Sequence, residues 1–391
     1  MSYVLRDYQQ KASDAAVSFF NNKAKKTNAI MVLPTGSGKS LIIADIAARL
    51  DGHTLVFQPS KEILEQNYLK LCSYGVLDCS IYSASFGRKE VSRITFATIG
   101  SVINHPELFQ HFKNIIIDEC HLVNPKEGMY KSFLSMLKCK VLGLTATPYR
   151  LSSSRDFGSM LKFITRTRPC VFSEVIYQVQ ISTLLDMGYL AKLNYYAMNP
   201  IGWNELNLKV NTTGADYTDK SVTMEYERID FYGYLVHIVQ RLVNNTVTGS
   251  KRKGILVFTR FLKEAERLTW SIPGTAIVSG DTPKKERERI LEAFKAGEIP
   301  VVANVGVLTT GFDYPELDTI VMARPTMSLA LWYQIVGRAI RPHPNKEAGW
   351  IVDLCGNIKR FGEVKDLRLV DGGNGKWAVY SGYRQLTNVR F

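Results

Sequence analysis

Two short strings in the first third of the chain gather residues that could handle a polyphosphate. Leu33-Pro34-Thr35-Gly36-Ser37-Gly38-Lys39-Ser40 follows an apolar run and precedes a helical pattern. Gly36 and Gly38 permit the dihedrals that turn successive N–H groups toward phosphate oxygens, and the following helix adds the positive end of its dipole. Lys39 should then reach the outer phosphates of a nucleoside triphosphate, and Ser40 should offer its hydroxyl to Mg²⁺. The strict G-x-x-x-x-G-K-S pattern places Gly at position 33, where this chain has Leu. Further on, Ile115-Ile116-Ile117 runs into Asp118-Glu119-Cys120-His121. A buried strand that ends in two adjacent carboxylates needs a cation or water beside it. Asp118 suits a Mg²⁺ ligand, and Glu119 suits the base that orients and deprotonates an attacking water. Each string alone has a bland reading, a Gly-rich turn or a solvated strand end. In this order they predict phosphate-anhydride hydrolysis.

Such residues work only on a scaffold that presents them together. Short β-branched runs alternate with longer amphipathic stretches, the pattern of βαβ units and parallel sheets. Strands are predicted at 29–33, 54–58, 80–83, 94–97, 114–118 and 141–144, with helices at 40–50 and 61–74. A second series begins late, at 255–259, 276–279, 300–303, 319–323 and 350–354. The expected architecture is α/β, two domains that are each a mainly parallel sheet with helices on both faces. Residues 1–170 form the first, 171–250 a connecting or accessory segment, and 251–391 the second. The connecting segment holds a polar excursion at 199–219 and a helix at 222–244. Asp371-Gly372-Gly373-Asn374-Gly375 predicts a hairpin.

The 391 residues are 46 % hydrophobic and 22 % charged, ordinary for a globular chain of about two domains. No apolar run reaches the roughly 18 residues of a membrane span; residues 41–48 are interrupted by Asp45. Arg6 and Asp7 stand where a signal peptide would be apolar, so a cytoplasmic protein without a membrane partner is expected. No two of the six cysteines lie within four residues of each other, and the six histidines lack metal-ligand spacing. A structural transition-metal site is not expected. Lys and Arg outnumber Asp and Glu 49 to 36, and the pI is 9.3, which points to a polyanionic partner. The excess is spread along the chain rather than gathered in a tail, as suits a groove along a phosphate backbone. Lys251-Arg252-Lys253 and Lys284-Lys285-Glu286-Arg287-Glu288-Arg289 are not assigned to it, the latter having the mixed signs of a solvated helix.

Further strings tie these features to a known group. Asp118-Glu119-Cys120-His121, Thr145-Ala146-Thr147-Pro148 and Gln334-Ile335-Val336-Gly337-Arg338-Ala339-Ile340-Arg341 have the order and spacing found in superfamily 2 helicases of the DEAD/DEAH type. Within that superfamily the chain most resembles RadD-like DNA-repair helicases. The strings Leu5-Arg6-Asp7-Tyr8-Gln9-Gln10, Gly280-Asp281-Thr282-Pro283 and Val307-Leu308-Thr309-Thr310-Gly311-Phe312-Asp313 carry that resemblance. Gly188-Tyr189-Leu190 fits the same group and its UvrB-like and restriction-translocase relatives. RadD-like proteins continue into a cysteine-rich, zinc-binding region; this chain is expected to be the helicase core without it.

The resemblance implies two RecA-like domains closing on one ATP, with Mg²⁺, and DNA crossing the opposite face. Gln9, with Arg6, matches the motif whose amide reads an adenine edge. The cofactor set is completed by Pro34, Thr35, Gly36, Ser37, Gly38, Lys39 and Ser40, and by Gly311 and Asp313 at the ribose and the opposing domain. Arg338 and Arg341 match the arginine fingers, three apart on an expected helix, and Gln334 the interface position one turn earlier. His121, Thr145 and Thr147 match the elements coupling the ATP site to nucleic acid. Pro59, Ser60, Thr98, Thr259, Arg260, Gly280, Asp281, Thr309 and Thr310 match contacts to a strand's backbone. Such contacts position a strand without reading its sequence. A single-stranded-DNA-binding protein or a recombinase is an implied partner, and a monomer the implied state. An RNA helicase, the motor subunit of a restriction system with its nuclease on another chain, and a non-hydrolysing clamp remain alternatives. Intact Lys39, Glu119 and Arg341 speak against the clamp.

Overall fold

The computed structural model describes residues 4–154, 158–244, 252, 254–308 and 314–389. The first sheet holds β1 (Ala29–Val32), β2 (Thr54–Phe57), β3 (Cys79–Ser83), β4 (Arg88–Lys89), β5 (Ile94–Ala97), β6 (Asn114–Asp118) and β7 (Lys140–Thr145). A separate hairpin of β8 (Tyr149–Ser154) and β9 (Gly158–Phe163) follows, and β10 (Glu174–Gln178) then returns to the sheet. The order is β10-β1-β7-β6-β2-β5-β3-β4, parallel apart from the antiparallel β4. The second sheet takes β11 (Lys192–Ala197), β12 (Ile255–Thr259), β13 (Thr275–Val278), β14 (Val301–Val305), β15 (Thr319–Ala323) and β16 (Ala348–Asp353). It is parallel throughout, in the order β11-β16-β15-β12-β14-β13. An antiparallel meander of β17 (Leu367–Asp371), β18 (Trp377–Ser381) and β19 (Arg384–Gln385) completes the fold. The expected two-domain α/β architecture is the one observed.

Helices cover both faces of each large sheet, so neighbouring side chains of a strand enter different cores. Leu55 and Phe57 join one buried cluster and Val56 another; Ile115 and Ile117 face away from Ile116. In β12, Leu256 and Phe258 separate in the same way from Ile255 and Val257. Both faces must be apolar, and this is why these strands read as unbroken runs.

The connecting or accessory segment is built into both sheets. β10 pairs in parallel with β1, and β11 with β16, so 171–250 supplies one strand to each sheet. Each lies at a sheet edge and is only partly buried, which breaks up its apolar signature. The single helix expected over 222–244 is two, α1 (Asp219–Arg228) and α2 (Phe231–Val243). Asp230 breaks it, standing in the left-handed region at φ 47° while its side chain caps the second helix through Gly233 N–H.

The predicted hairpin is present, and its strands belong to the meander that reaches back to the first domain. The Gln180 carboxamide donates to Leu369 O (2.7 Å) and accepts from Leu369 N–H (3.0 Å). Asn388 accepts from Phe163 N–H at 3.1 Å, and Trp377 stacks on Phe163. One apolar cluster runs through the interface, from Tyr149, Phe163 and Leu190 to Tyr333, Ile340, Leu367 and Val379.

Candidate active site

The glycine-rich loop leaves the carboxyl end of β1, where Leu33 N–H donates to Thr145 O of β7 (2.9 Å). It enters the helix Lys39–Arg49 through Gly38 at φ 79°, with Gly36 at φ 82°. Both positions are also crowded. A Cβ on Gly38 would lie 2.5 Å from Gln9 Nε2, and one on Gly36 would lie 2.9 Å from a Leu190 methyl. Gln9 is therefore part of the loop's support. Its Nε2 donates to Ser37 O (2.9 Å), its Oε1 accepts from Arg6 N–H (2.9 Å), and it is buried. Tyr8 adds a second bond to the same Ser37 carbonyl (2.7 Å). The adenine-reading amide of the expectation thus has a second task, supporting the loop. Arg6 lies exposed, its guanidinium 4.1 Å from the centre of the Tyr189 ring.

At the carboxyl end of β6 the chain turns through Glu119, whose φ of 49° is uncommon for a residue with a side chain. Asp118 Oδ1 accepts the Glu119 N–H at 3.0 Å and fixes that turn. Glu119 Oε1 lies 3.6 Å from Lys39 Nζ and Oε2 lies 3.3 Å from His121 Nδ1. Burial alone would raise the Glu119 carboxyl, but Lys39 and then His121 outweigh it and hold it down at about 2. Asp118 goes the other way. Burial first, and then the charge on Glu119, push it up to about 7 against the pull of Lys39. His121 Nδ1 also meets Thr145 Oγ1 (2.9 Å) and Thr147 Oγ1 (3.1 Å), and Thr147 N–H donates to Thr145 Oγ1 (3.0 Å). The three residues expected to couple the sites form one buried network touching Glu119.

The second domain completes the cleft. Gln334 lies in the helix Leu329–Val336, which ends before either arginine. Arg338 and Arg341 therefore do not share a helix face, contrary to the expectation. The chain tightens instead, with Arg338 N–H donating to Ile335 O (3.0 Å) and Ala339 N–H to Val336 O (3.0 Å). Gly337 sits so close to the first domain that a Cβ would fall 2.7 Å from the Thr35 methyl. Burial pushes Arg338 down to about 10, with Glu119 opposing, and lowers Arg341 as well. Thr35, Gly36, Gly38, Lys39, Ser40, Asp118 and Glu119 face Gln334, Arg338 and Arg341 across a cleft of about 410 Å³. Ile63, Gln66 and Lys70 also line it, from the helix Lys61–Cys72. Their spacing of three and four residues was the available signal, a helix face beside the loop.

The donor set fits Mg²⁺. Ser40 and Asp118 offer hard oxygens, and a buried Asp118 beside the half-buried Glu119, with one nearby ammonium, favours a second cation. Among the described residues no three acidic, His or Cys side chains form a metal cluster.

The residues expected to meet nucleic acid divide into two sets. Pro59, Ser60 and Thr98 lie at the carboxyl ends of β2 and β5, and Gly280 and Asp281 follow β13. Ser60 caps the helix Lys61–Cys72 by accepting from Ile63 N–H (3.3 Å), and Thr98 Oγ1 meets Ser101 Oγ (2.9 Å). Thr259 and Arg260 are corrections. Thr259 is fully buried, its hydroxyl donating to Asn304 O at 3.3 Å. Arg260 is spent on Asp216 (3.3 Å), Asp219 (2.8 Å) and Tyr217 O (2.6 Å), and so pins the 199–219 excursion to the second sheet. Thr309, Thr310, Gly311 and Asp313 lie outside the described residues, as do Lys251 and Lys253. No helix among the described residues is long and apolar enough to cross a membrane.

Residues 2–150 match the family model described as type III restriction enzyme, res subunit, and 235–343 match the helicase conserved C-terminal domain. The protein named DNA 3'-5' translocase XPB2 from Sulfurisphaera tokodaii is 27 % identical over 378 residues, covering 88 % of this chain and 80 % of that one. IRC3 from Saccharomyces cerevisiae is 25 % identical over 389 residues, covering 90 % of this chain and 52 % of its own length. The chain thus spans about half of that relative. Among solved structures, the ATP-dependent type ISP restriction-modification enzyme LlaBIII bound to DNA superposes with a TM-score of 0.66 at 19 % identity. The match covers 90 % of this chain and 28 % of that one, and it speaks for the fold.

Proposed function

The chain belongs to the superfamily 2 helicases, and on that premise we propose that it hydrolyses ATP between its two domains to move along or remodel DNA. The observation that carries the reading is the cleft itself, where phosphate loop and carboxylate pair face two arginines from the other domain. Lys39, Ser40 and the loop amides would hold the phosphates. Mg²⁺, held by Ser40 and Asp118, would neutralise phosphate charge as it builds up. Glu119, kept ionised by Lys39 and His121, would orient the attacking water and take its proton as the phosphoryl group transfers. Arg338 and Arg341 would stabilise charge on the transferring phosphoryl group. Gln9 and Arg6 would sit at the base, and Gly311 with Asp313 at the ribose.

The strand would cross the carboxyl ends of the parallel strands, touching Pro59, Ser60, Thr98, Gly280, Asp281, Thr309 and Thr310, without sequence preference. Net charge of +13 supports a polyanionic partner. The RadD-like resemblance favours DNA repair or recombination, with a single-stranded-DNA-binding protein or recombinase as partner and a cytoplasmic monomer as the working form. A second reading, a motor for a restriction complex, is favoured by the likeness of residues 2–150 to the res-subunit model. ATP hydrolysis measured with no nucleic acid, single-stranded DNA, duplex, forks and RNA tests the proposal. Stimulation by DNA above RNA is expected; equal or absent stimulation would overturn it.

A further inference from the structure

Between the two arginines of the second domain stands the main-chain carbonyl of Ala339, and a buried lysine holds it. Lys346 is 8 % exposed. Its Nζ donates to the carbonyl oxygens of Pro315 (2.7 Å), Leu317 (3.1 Å) and Ala339 (3.1 Å). An ammonium has three protons, so all of them go to main chain. Two of the acceptors belong to the segment that leads into β15, and Pro315 lines the ATP cleft beside Arg338 and Arg341. The third belongs to the segment that carries both arginines. That segment has left the helix, so no helical ladder fixes the Ala339 carbonyl. Its neighbour Ile340 is held from the other side, by Ala191 N–H at 2.8 Å.

We propose that Lys346 is a positioning residue for ATP turnover, stapling the arginine segment to the 315–317 segment so that Arg338 and Arg341 reach the γ phosphate. It touches no nucleotide itself. The proposal rests on the reading that these arginines act on the transferring phosphoryl group. It adds a residue five positions beyond Arg341 that none of the motif strings includes.

A lysine that only filled space would cost stability when replaced and leave the turnover of folded enzyme unchanged. A staple makes a different demand, because it needs the ammonium. Burial pushes Lys346 down to about 8, with Asp318 opposing and Arg341 reinforcing. The other charged groups around it are the Glu316–His343 pair (3.3 Å) and the exposed Glu347. With its folded value below that of an ordinary lysine, the staple is intact at neutral pH and weakens as pH rises through about 8.

The test uses the full chain with saturating single-stranded DNA. It measures kcat and KM for ATP from neutral to alkaline pH, and separately the affinity of the DNA-free protein for a fluorescent ATP analogue. Wild-type kcat should fall with a midpoint near pH 8 while nucleotide affinity stays flat. Lys346→Met keeps the stem and removes the donors; kcat should drop roughly 10- to 100-fold, the scale of misplacing a reacting group by about 1 Å. Its nucleotide affinity should hold, and its alkaline fall should vanish. Lys346→Arg, which stays protonated, should recover part of kcat and lose the fall near pH 8. Wild-type turnover in a folded Lys346→Met protein would overturn the proposal. So would a wild-type kcat that is flat through pH 8, a measurement that decides the matter even if Lys346→Met fails to fold. Absence of hydrolysis by the wild type would overturn the reading of the cleft, and the staple with it.

Discussion

The two halves of the ATP cleft hold their charges in opposite ways. In the first domain the reactive groups stand at strand ends and are tied to each other by short polar contacts. Glu119 meets Lys39 and His121, and His121 meets Thr145 and Thr147. In the second domain two guanidinium groups are buried past the end of a helix, in a segment held through its main chain. The first half is arranged to receive phosphate whether or not the second is close. The second carries desolvated positive charge that gains most when an anion arrives. On the proposed reading the first side binds phosphate and carries the base. The arginines of the second act mainly on charge that develops as the phosphoryl group transfers, an interaction that strengthens only in the transition state.

Removing the second half's contribution should produce the largest effect. Arg341→Ala should lose about 10³-fold or more in DNA-stimulated turnover, while affinity of the DNA-free protein for nucleotide changes far less. Lys at this position should rescue poorly, because a point charge does not reproduce a planar fork of donors. Parallel titrations of nucleotide binding and of hydrolysis check this; retained turnover would dissolve the contrast between the halves.

Glu119→Gln attacks the first half. It removes the base but keeps size and polarity, so turnover should fall roughly 10²- to 10⁴-fold with ATP still bound. Near-normal hydrolysis by the purified variant would move the base elsewhere.

A smaller change should separate chemistry from coupling. Thr147→Val deletes one hydroxyl facing His121 and nearly preserves shape. Basal hydrolysis should survive while stimulation by DNA falls about tenfold, the worth of one buried hydrogen bond to a network. Equal losses with and without DNA would make the network a plain support for Glu119.

Gln9→Ala sharpens the base-recognition question and should have the mildest effect, a rise of about 3- to 10-fold in the KM for ATP. If the amide reads adenine, the preference over GTP narrows. If it serves only Ser37, both nucleotides weaken together and the preference stands.

The strands of both sheets were legible because burial on two faces forces unbroken apolar runs; β2, β6 and β12 are examples. β10 and β11 were not, since an edge strand needs no such run. In the site, loop and carboxylate pair were visible because their chemistry depends on neighbours in sequence. What local pattern could not convey was partnership across the fold. Arg260 follows a strand as a phosphate ligand might, yet Asp216 and Asp219 claim it. Gln9 carries the right amide, yet its first partner is Ser37, 28 residues away. Lys346 stands in an unremarked stretch, and its role depends on three carbonyls from two distant turns.

The meander has a mechanical consequence. The covalent crossover between β10 and β11 attaches the domains once, and the grip of Gln180 on Leu369 and of Asn388 on Phe163 attaches them again. A body fastened at one point can tumble, whereas one fastened at two can only swing about the line that joins them. Any opening of the cleft that spares both fastenings is a door's motion, with Arg338 and Arg341 on the moving leaf and Lys39 and Glu119 on the frame.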